Sequence, residues 1–588
     1  MRNLAFAAAA LTLLAAAPAP LPPETKWRGA SEKLIVKASD PWITPIEATG
    51  FRLTPTYAET RAWLDRLAAA SPLIRVEVFG KTPQGRDMLA VIVSKDGATL
   101  DSAKPVLLAQ GGIHSGEIDG KDAGMMLLRD IALKGKSALL DRANFVFVPI
   151  FNVDGHERSG PFNRPNQRGP ENQGWRTTAQ NYNLNRDYLK ADSPEMRAMI
   201  GLIRKYDPAL YLDLHVTDGH DQQFDVTISY NGWNGRYAYS PAIGRWLDGK
   251  FRPATDTALA KAGHIPGLYV DLIDPRRAAG GVFYNATTPR FSNGYGDVRG
   301  TPSVLIETHS LKPYRQRVLG TYVLVEAALK LLGDDAAAVR AAIAADRAAR
   351  PKTATLAWRP LKGPITTMVW KGIAQDSYVS PASGRAEVRW LGKPQTETVG
   401  IFGEEPSITA TLPVAWWVPP TAPDVIDRLR LHGVQFETLA TPREVEVEMT
   451  RLVDPKLGKV NEGRMPLTAT FTRERRRETW PAGSVRVSAD QPLASLAALW
   501  LEAESPDGAL AWGSFPTILQ RTEYIEGYVI APMADAMLAA DPKLKAEFDA
   551  KLAADPAFAA DADARLAWFY SRTPYYDDRY LLYPVGRE

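Results

Sequence analysis

Between Pro55 and Leu332 the chain alternates short apolar runs with longer segments of helical period, and this alternation restricts the fold more than any other feature. "LIRVEVFG" and "MLAVIVS" flank the turn "KTPQGRD". "PVLLAQGG", "NFVFVPIFNVDG", "ALYLDLH" and "SVLIETHS" follow, separated by the helical patterns "DAGMMLLRDIAL" and "SPEMRAMIGLIRKY". An apolar helix through "RVLGTYVLVEAALKLLG" closes the series. Apolar strands alternating with helices predict an α/β fold: a mixed, mostly parallel sheet with helices on both faces.

With 588 residues the chain exceeds the size at which a single core stops growing, so more than one domain is expected. From Asp334 the text shifts to "DDAAAVRAAIAADRAARPKTATLAW", a helical connector ending at Pro351. Beyond it come short β-type runs between Pro and Gly turns: "TTMVWKG", "AEVRWLG", "SITATLP", "REVEVEM", "LTATFTR" and "GSVRVSA". The expected organisation is a signal peptide over 1–19, an α/β domain over 45–335, a connector over 336–356, and a β-rich accessory region over 357–588. The accessory region carries a helical segment near its end, from Ala536 to Trp568.

The first residues, "MRNLAFAAAALTLLAAAPAP", combine one Arg, an apolar stretch and small residues in the manner of a secretory signal cleaved near Ala17 to Ala19. No later segment is long and apolar enough to span a bilayer, so no membrane span is expected in the mature protein. The absence of cysteine excludes disulfides, thiolate metal sites and a cysteine nucleophile, and it suits a bacterial protein exported to the periplasm or beyond. With 70 basic against 67 acidic residues, nothing points to nucleic acid or an anionic membrane as partner. The densest basic run, Arg473 to Arg477, reads as a solvated strand edge, and Trp416, Trp417, Trp480 and Trp500 as core. Nothing in the sequence fixes the oligomeric state.

Several apolar strands of the first domain run into polar residues: His114 and Glu117 after "PVLLAQGG", His215 after "YLDL", Glu307 after "SVLI", and Asn152 and Asp154 after "FVFVPIF". In open α/β sheets ligands bind at the carboxyl ends of strands, and polar groups gathered there are expensive to bury unless something binds them. Two imidazoles and a carboxylate suit one Zn²⁺ ion with a fourth position left for water. A further carboxylate must then handle the water's proton, and Glu307 stands at the end of a separate strand. Of the seven histidines, His156, His215, His220 and His309 compete as third ligand; His215 is favoured because it directly follows an apolar strand, and His264 and His432 read as structural.

"HSGE", "NVDG", "NLNRDY", "LDLHVTDG" and "SVLIETHS", in that order, resemble the zinc carboxypeptidases, the carboxypeptidase A-like metallopeptidases, over roughly residues 55 to 332. The resemblance implies a carboxypeptidase-like fold and a peptide substrate. It implies His114, Glu117 and His215 as zinc ligands, Glu307 as general base, and Asn185 with Arg186 as the grip on a terminal carboxylate. It also implies Arg176 as the group facing the oxyanion and Tyr284 as a mobile-loop tyrosine, and it puts the residue that sets side-chain preference at Arg290 or Phe291. The function expected is an exported zinc carboxypeptidase. The alternatives are a murein-peptide amide hydrolase or related zinc deacylase, and, from another class, a catalytically silent binding module.

Overall fold

The computed structural model describes residues 21–97 and 100–588, so the expected signal segment, 1–19, lies outside the described residues. The first ten strands are β1 (Ile74–Lys81), β2 (Asp87–Val93), β3 (Val106–Gly111), β4 (Asn144–Val148), β5 (Leu210–Thr217), β6 (Val226–Ser229), β7 (Pro266–Leu268), β8 (Asp271–Asp274), β9 (Arg277–Phe283) and β10 (Ser303–His309). Eight of them form one sheet in the order β1-β2-β4-β3-β5-β10-β6-β7. β4, β3, β5 and β10 run parallel at its centre, β6 and β7 pair parallel at one edge, and antiparallel pairs make the remaining joints. The mixed, mostly parallel sheet expected from the sequence is present.

Helices cover both faces. Gly120 and Gly124, on the helix Asp119–Leu133, abut Leu214 and the Phe147 ring so closely that a Cβ would come within 2.8 and 2.1 Å of them. The Tyr211 side chain points to the other face, where its hydroxyl meets that of Tyr188, whose ring packs at a tilt against Tyr295 of the helix Ser292–Arg299. Register fixes what stands at the carboxyl ends. Gln110 of β3 lies opposite Asp213 of β5, and His215 of β5 opposite Glu307 of β10. Three strands therefore deliver His114, Glu117, His215 and Glu307 to one edge.

After the helix Ala336–Ala348 the chain enters a β-rich region. Its strands are β11 (Thr353–Pro360), β12 (Thr366–Val379), β13 (Ala386–Phe402), β14 (Glu404–Thr411), β15 (Ala415–Val418), β16 (Glu437–Thr438), β17 (Arg443–Leu457), β18 (Leu467–Trp480), β19 (Val485–Ser488) and β20 (Leu582–Arg587). A six-stranded sheet runs β16-β19-β15-β20-β17-β18, and β18, carrying Arg473 to Arg477, is an edge. Those arginines are matched across the strands: Arg473 meets Glu448 at 2.9 Å, Arg475 meets Glu446 at 3.6 Å and Arg477 meets Glu444 at 3.7 Å. Trp416, Trp417, Trp480 and Trp500 are buried. Four consecutive helices between Gly527 and Tyr570 close on a small core of their own around Phe548, Phe558 and Phe569.

The two regions share structure. β13 pairs in parallel with β9, so a four-stranded sheet, β12-β13-β9-β8, crosses between them. No described helix is long and apolar enough to cross a membrane.

Candidate metal centre

The loop after β3 turns sharply, with Glu117 N–H donating to His114 C=O at 2.8 Å. Gly116 is required there by close approach, because a Cβ would come within 2.4 Å of the Arg164 side chain and 2.8 Å of Gly174 O. His114, Glu117 and His215 are each 3% exposed, and they offer ligand atoms that all lie within 4.8 Å of one another. His114 Nδ1 sits 3.0 Å from Glu117 Oε1, and His215 Nδ1 sits 2.9 Å from Glu117 Oε2.

The outward nitrogens are tied down. His114 Nε2 meets Asn183 Oδ1 at 2.9 Å, and His215 Nε2 meets Asp213 Oδ2 at 2.8 Å. Such outer bonds fix a ring so that its other nitrogen presents a lone pair to a metal. Gln110 Nε2 donates to Asp213 Oδ1 at 2.8 Å, and Arg164 lies 3.0 Å from Glu117 Oε1. Two anchored imidazoles converging with a carboxylate are the donor set of a mononuclear zinc site, so these residues fit the ion.

The electrostatics separate the two rings: His114 is neutral, whereas His215 holds a proton that a bound cation would displace. Burial lowers His114 to about 4, leaving it neutral as a ligand must be. Burial works to raise Glu117, but His114, Arg164 and His215 hold it well below the usual carboxylate range. Burial likewise works against a His215 cation, but Asp213 and Glu117 carry it well above the usual imidazole value. Glu307 differs: burial pushes it up to about 8, with Glu117, Asp213 and Asp218 adding to the rise and His215 opposing it. Its Oε2 is buried with no hydrogen-bond partner among the described residues. A cation in the site would draw that carboxyl back toward the range where it exchanges a proton at neutral pH.

A cleft of about 530 Å³ gathers His114, Glu117, His215 and Glu307 together with Arg176, Asn185 and Arg186. Arg176 NH1 stands 3.3 Å from Glu117 Oε1, and its side chain is 41% exposed. Asn183 caps the short turn Leu184–Arg186 by accepting from Asn185 N–H at 3.1 Å. Asn185 Oδ1 accepts from Ser292 N–H at 3.2 Å. The Arg186 guanidinium lies 4.3 Å over the Phe291 ring and donates to Asn185 C=O at 2.6 Å. No carboxylate among the described residues pairs with it, and burial together with Arg176 lowers its affinity for its proton. A larger cavity of about 800 Å³ lies near Val106 and Ala209, at the amino ends of β3 and β5. Its Lys205 and Arg347 are already paired with Glu77 and Asp207.

Tyr284 requires correction, because the structure does not bring it to the cleft. It is 1% exposed, its hydroxyl donates to Tyr230 C=O at 2.7 Å and accepts from Tyr230 N–H at 3.1 Å, and Trp233 packs 4.7 Å away. Tyr269 lines the cleft instead. Of the two candidates for side-chain preference, Phe291 lines the cleft, whereas Arg290 turns to Asp507 at 2.6 Å. His156 bonds Lys121 and Glu157, and His309 bonds Asp221; neither joins the ligand group. His220 reaches the cleft wall.

Sequence reasoning missed Asp213, Asn183, Arg164, Tyr269 and a contribution from the accessory region, Val388 and Trp390. Asp213 had a signal, since it lies two residues before His215 and so on the same face of a strand. Arg164 and Trp390 had none.

The α/β sheet brings to its carboxyl edge a donor set that suits one metal ion. Residues 60–220 match the family model described as zinc carboxypeptidase. "Carboxypeptidase 2" of Trichophyton rubrum is 23% identical over 495 residues, covering 79% of this chain and 84% of its own. An "inactive metallocarboxypeptidase" of Saccharomyces cerevisiae is 30% identical over 100 residues, 16% of this chain and 23% of that protein. Among solved structures, the carboxypeptidase A of Helicoverpa armigera aligns over 50% of this chain and 74% of its own, at 19% identity and a TM-score of 0.37.

Proposed function

We propose that the protein is an exported zinc carboxypeptidase that hydrolyses the last peptide bond of its substrates. The observation that carries this reading is Arg186, a guanidinium that pairs with no carboxylate among the described residues and lies in the same cleft as the two-histidine, one-glutamate set. An unpaired cation in a largely buried setting calls for an anion, and a peptide's terminal carboxylate suits its planar fork. The signal-like first residues support export, and the absence of cysteine suits it.

His114, Glu117 and His215 would hold the ion, which supplies Lewis acidity toward a water and a carbonyl oxygen. Glu307 would accept the water's proton and pass it to the leaving nitrogen. Arg176, partly exposed beside the ligands, would offset negative charge growing on the carbonyl oxygen. Asn185 and Arg186 would fix the terminal carboxylate and so hold the scissile bond in register. Tyr269, which lines the cleft, would serve in place of the mobile-loop tyrosine expected at Tyr284.

The test is mass spectrometry of matched peptides bearing a free or an amidated C-terminus, incubated with the mature protein with and without a zinc chelator. Loss of single C-terminal residues from the free acids alone, stopped by chelator, is expected. Equal trimming of amides, or cleavage at internal bonds, would overturn the assignment of Arg186.

A further inference from the structure

The α/β domain does not close the cleft alone. Val388 and Trp390 reach it from β13 of the accessory region. Being two residues apart, they share one face of the strand. Arg389 between them pairs with Asp376 at 2.9 Å.

The body of the β12–β13 hairpin is held to the cleft's rim. Gln223 donates through its side chain to Gly372 C=O and Gln395 C=O, each at 3.0 Å, and through its N–H to Lys371 C=O at 2.8 Å. Trp370 packs on Phe224 at 5.5 Å and His220 at 5.0 Å, and Gln375 bonds Arg276 C=O. Trp390 pairs with Gln375 across the hairpin, so it sits on this anchored part and not at the tip, which spans residues 380–385.

Trp390 is half-buried, and among the described residues its indole N–H makes no hydrogen bond. A tryptophan left half in water at the edge of a polar cleft keeps apolar area that a ligand can cover. Position decides which part of a ligand that is. Once Asn185 and Arg186 grip a terminal carboxylate, the rest of the peptide has to leave by the mouth. The hairpin that carries Val388 and Trp390 is fastened at His220 and Gln223, whereas Arg186 lies over Phe291, so these wall residues would meet side chains on the amino side of the bond.

We propose, resting on the carboxypeptidase reading, that Val388 and Trp390 form a wall that receives the side chain preceding the scissile bond and selects large apolar residues there, aromatic ones first. The accessory region thereby acts in substrate selection.

The experiment measures kcat/KM on N-acylated peptides of free C-terminus with a common last residue and Gly, Ala, Leu or Phe before it, for wild type, Trp390→Ala, Trp390→Phe and Val388→Ala. Wild type is expected to favour Phe over Gly by roughly tenfold. Trp390→Ala should flatten that ranking by slowing the Phe and Leu peptides more than the Gly peptide, Trp390→Phe should keep it, and Val388→Ala should weaken it. A flat wild-type ranking, or equal slowing of every peptide by Trp390→Ala, would overturn the wall and leave the carboxypeptidase reading standing. Were nothing trimmed, that reading would fail, and calorimetric binding of the same peptides decides the wall. It requires tighter binding of the Phe peptide that is lost in Trp390→Ala; equal binding by both proteins overturns it.

Discussion

Asp213 reaches the outward nitrogen of His215 from two places back on the same strand, and Asn183 does the same for His114 from a distant loop. Each bond orients a ring, so its loss should loosen the metal without removing a ligand. Asp213→Asn is expected to weaken zinc binding by roughly 10- to 100-fold, read by competition with a coloured chelator. Unchanged affinity would make Asp213 a packing residue. That His114, Glu117, His215 and Glu307 gather at one place was legible because strand ends announce themselves: an apolar run stops and a polar group follows. Arg164 was not legible, because a loop arginine looks the same whether it faces solvent or, as here, Glu117 at 3.0 Å. Tyr284 misled for a related reason. Sequence distance placed it near the site, while packing between Trp233 and Tyr237 took it into the core.

Among the elements, the turn joining β17 to β18 bears on the loop that carries Asn183 to Arg186. Glu462 accepts from Asn183 N–H at 3.2 Å, Arg464 grips Asp192 at 2.5 and 2.8 Å, and a Cβ on Gly463 would come within 2.4 Å of Tyr182. Glu462→Ala should raise KM several-fold for free-acid peptides with kcat less affected, and Glu462→Gln, which keeps an acceptor, should restore it; steady-state kinetics decides. The helix Pro194–Tyr206 carries a different liability. Both carboxylate oxygens of Glu195 are buried without hydrogen-bond partners among the described residues, and burial pushes this group up to about 7 from 4.5. Folded protein then holds a proton that unfolded protein releases, so this contribution to stability is full below pH about 4.5 and is lost as pH rises through about 7. Denaturant titrations should show Glu195→Gln gaining on wild type as pH rises from 5 to 8, by up to about 3 kcal/mol. A difference independent of pH would contradict the assignment. The strands themselves were legible as β-type runs between turns. The pairing of β13 with β9 was not, because it joins residues 282–283 to 401–402 and no local pattern specifies so distant a partner.

At the scale of the molecule, the accessory region is part of the same body as the metal centre. One continuous apolar core includes Leu212 and Val304 of the central sheet and Trp416 and Trp500 of the second half. Cutting the chain after residue 350 would uncover that core and strip β9 of its neighbour, so the shortened protein is expected to aggregate, as sedimentation would show. The account's central claim is that His114, Glu117 and His215 hold one zinc ion and Glu307 moves the proton. Zinc content after dialysis, measured beside turnover of a free-acid peptide, tests it most directly in wild type, Glu307→Gln and His114→Ala. The expected result is one zinc per chain in wild type and in Glu307→Gln, with turnover in the latter down by about 10²- to 10⁴-fold, and neither zinc nor turnover in His114→Ala. Near-normal turnover by Glu307→Gln, or full activity without zinc, would contradict the account.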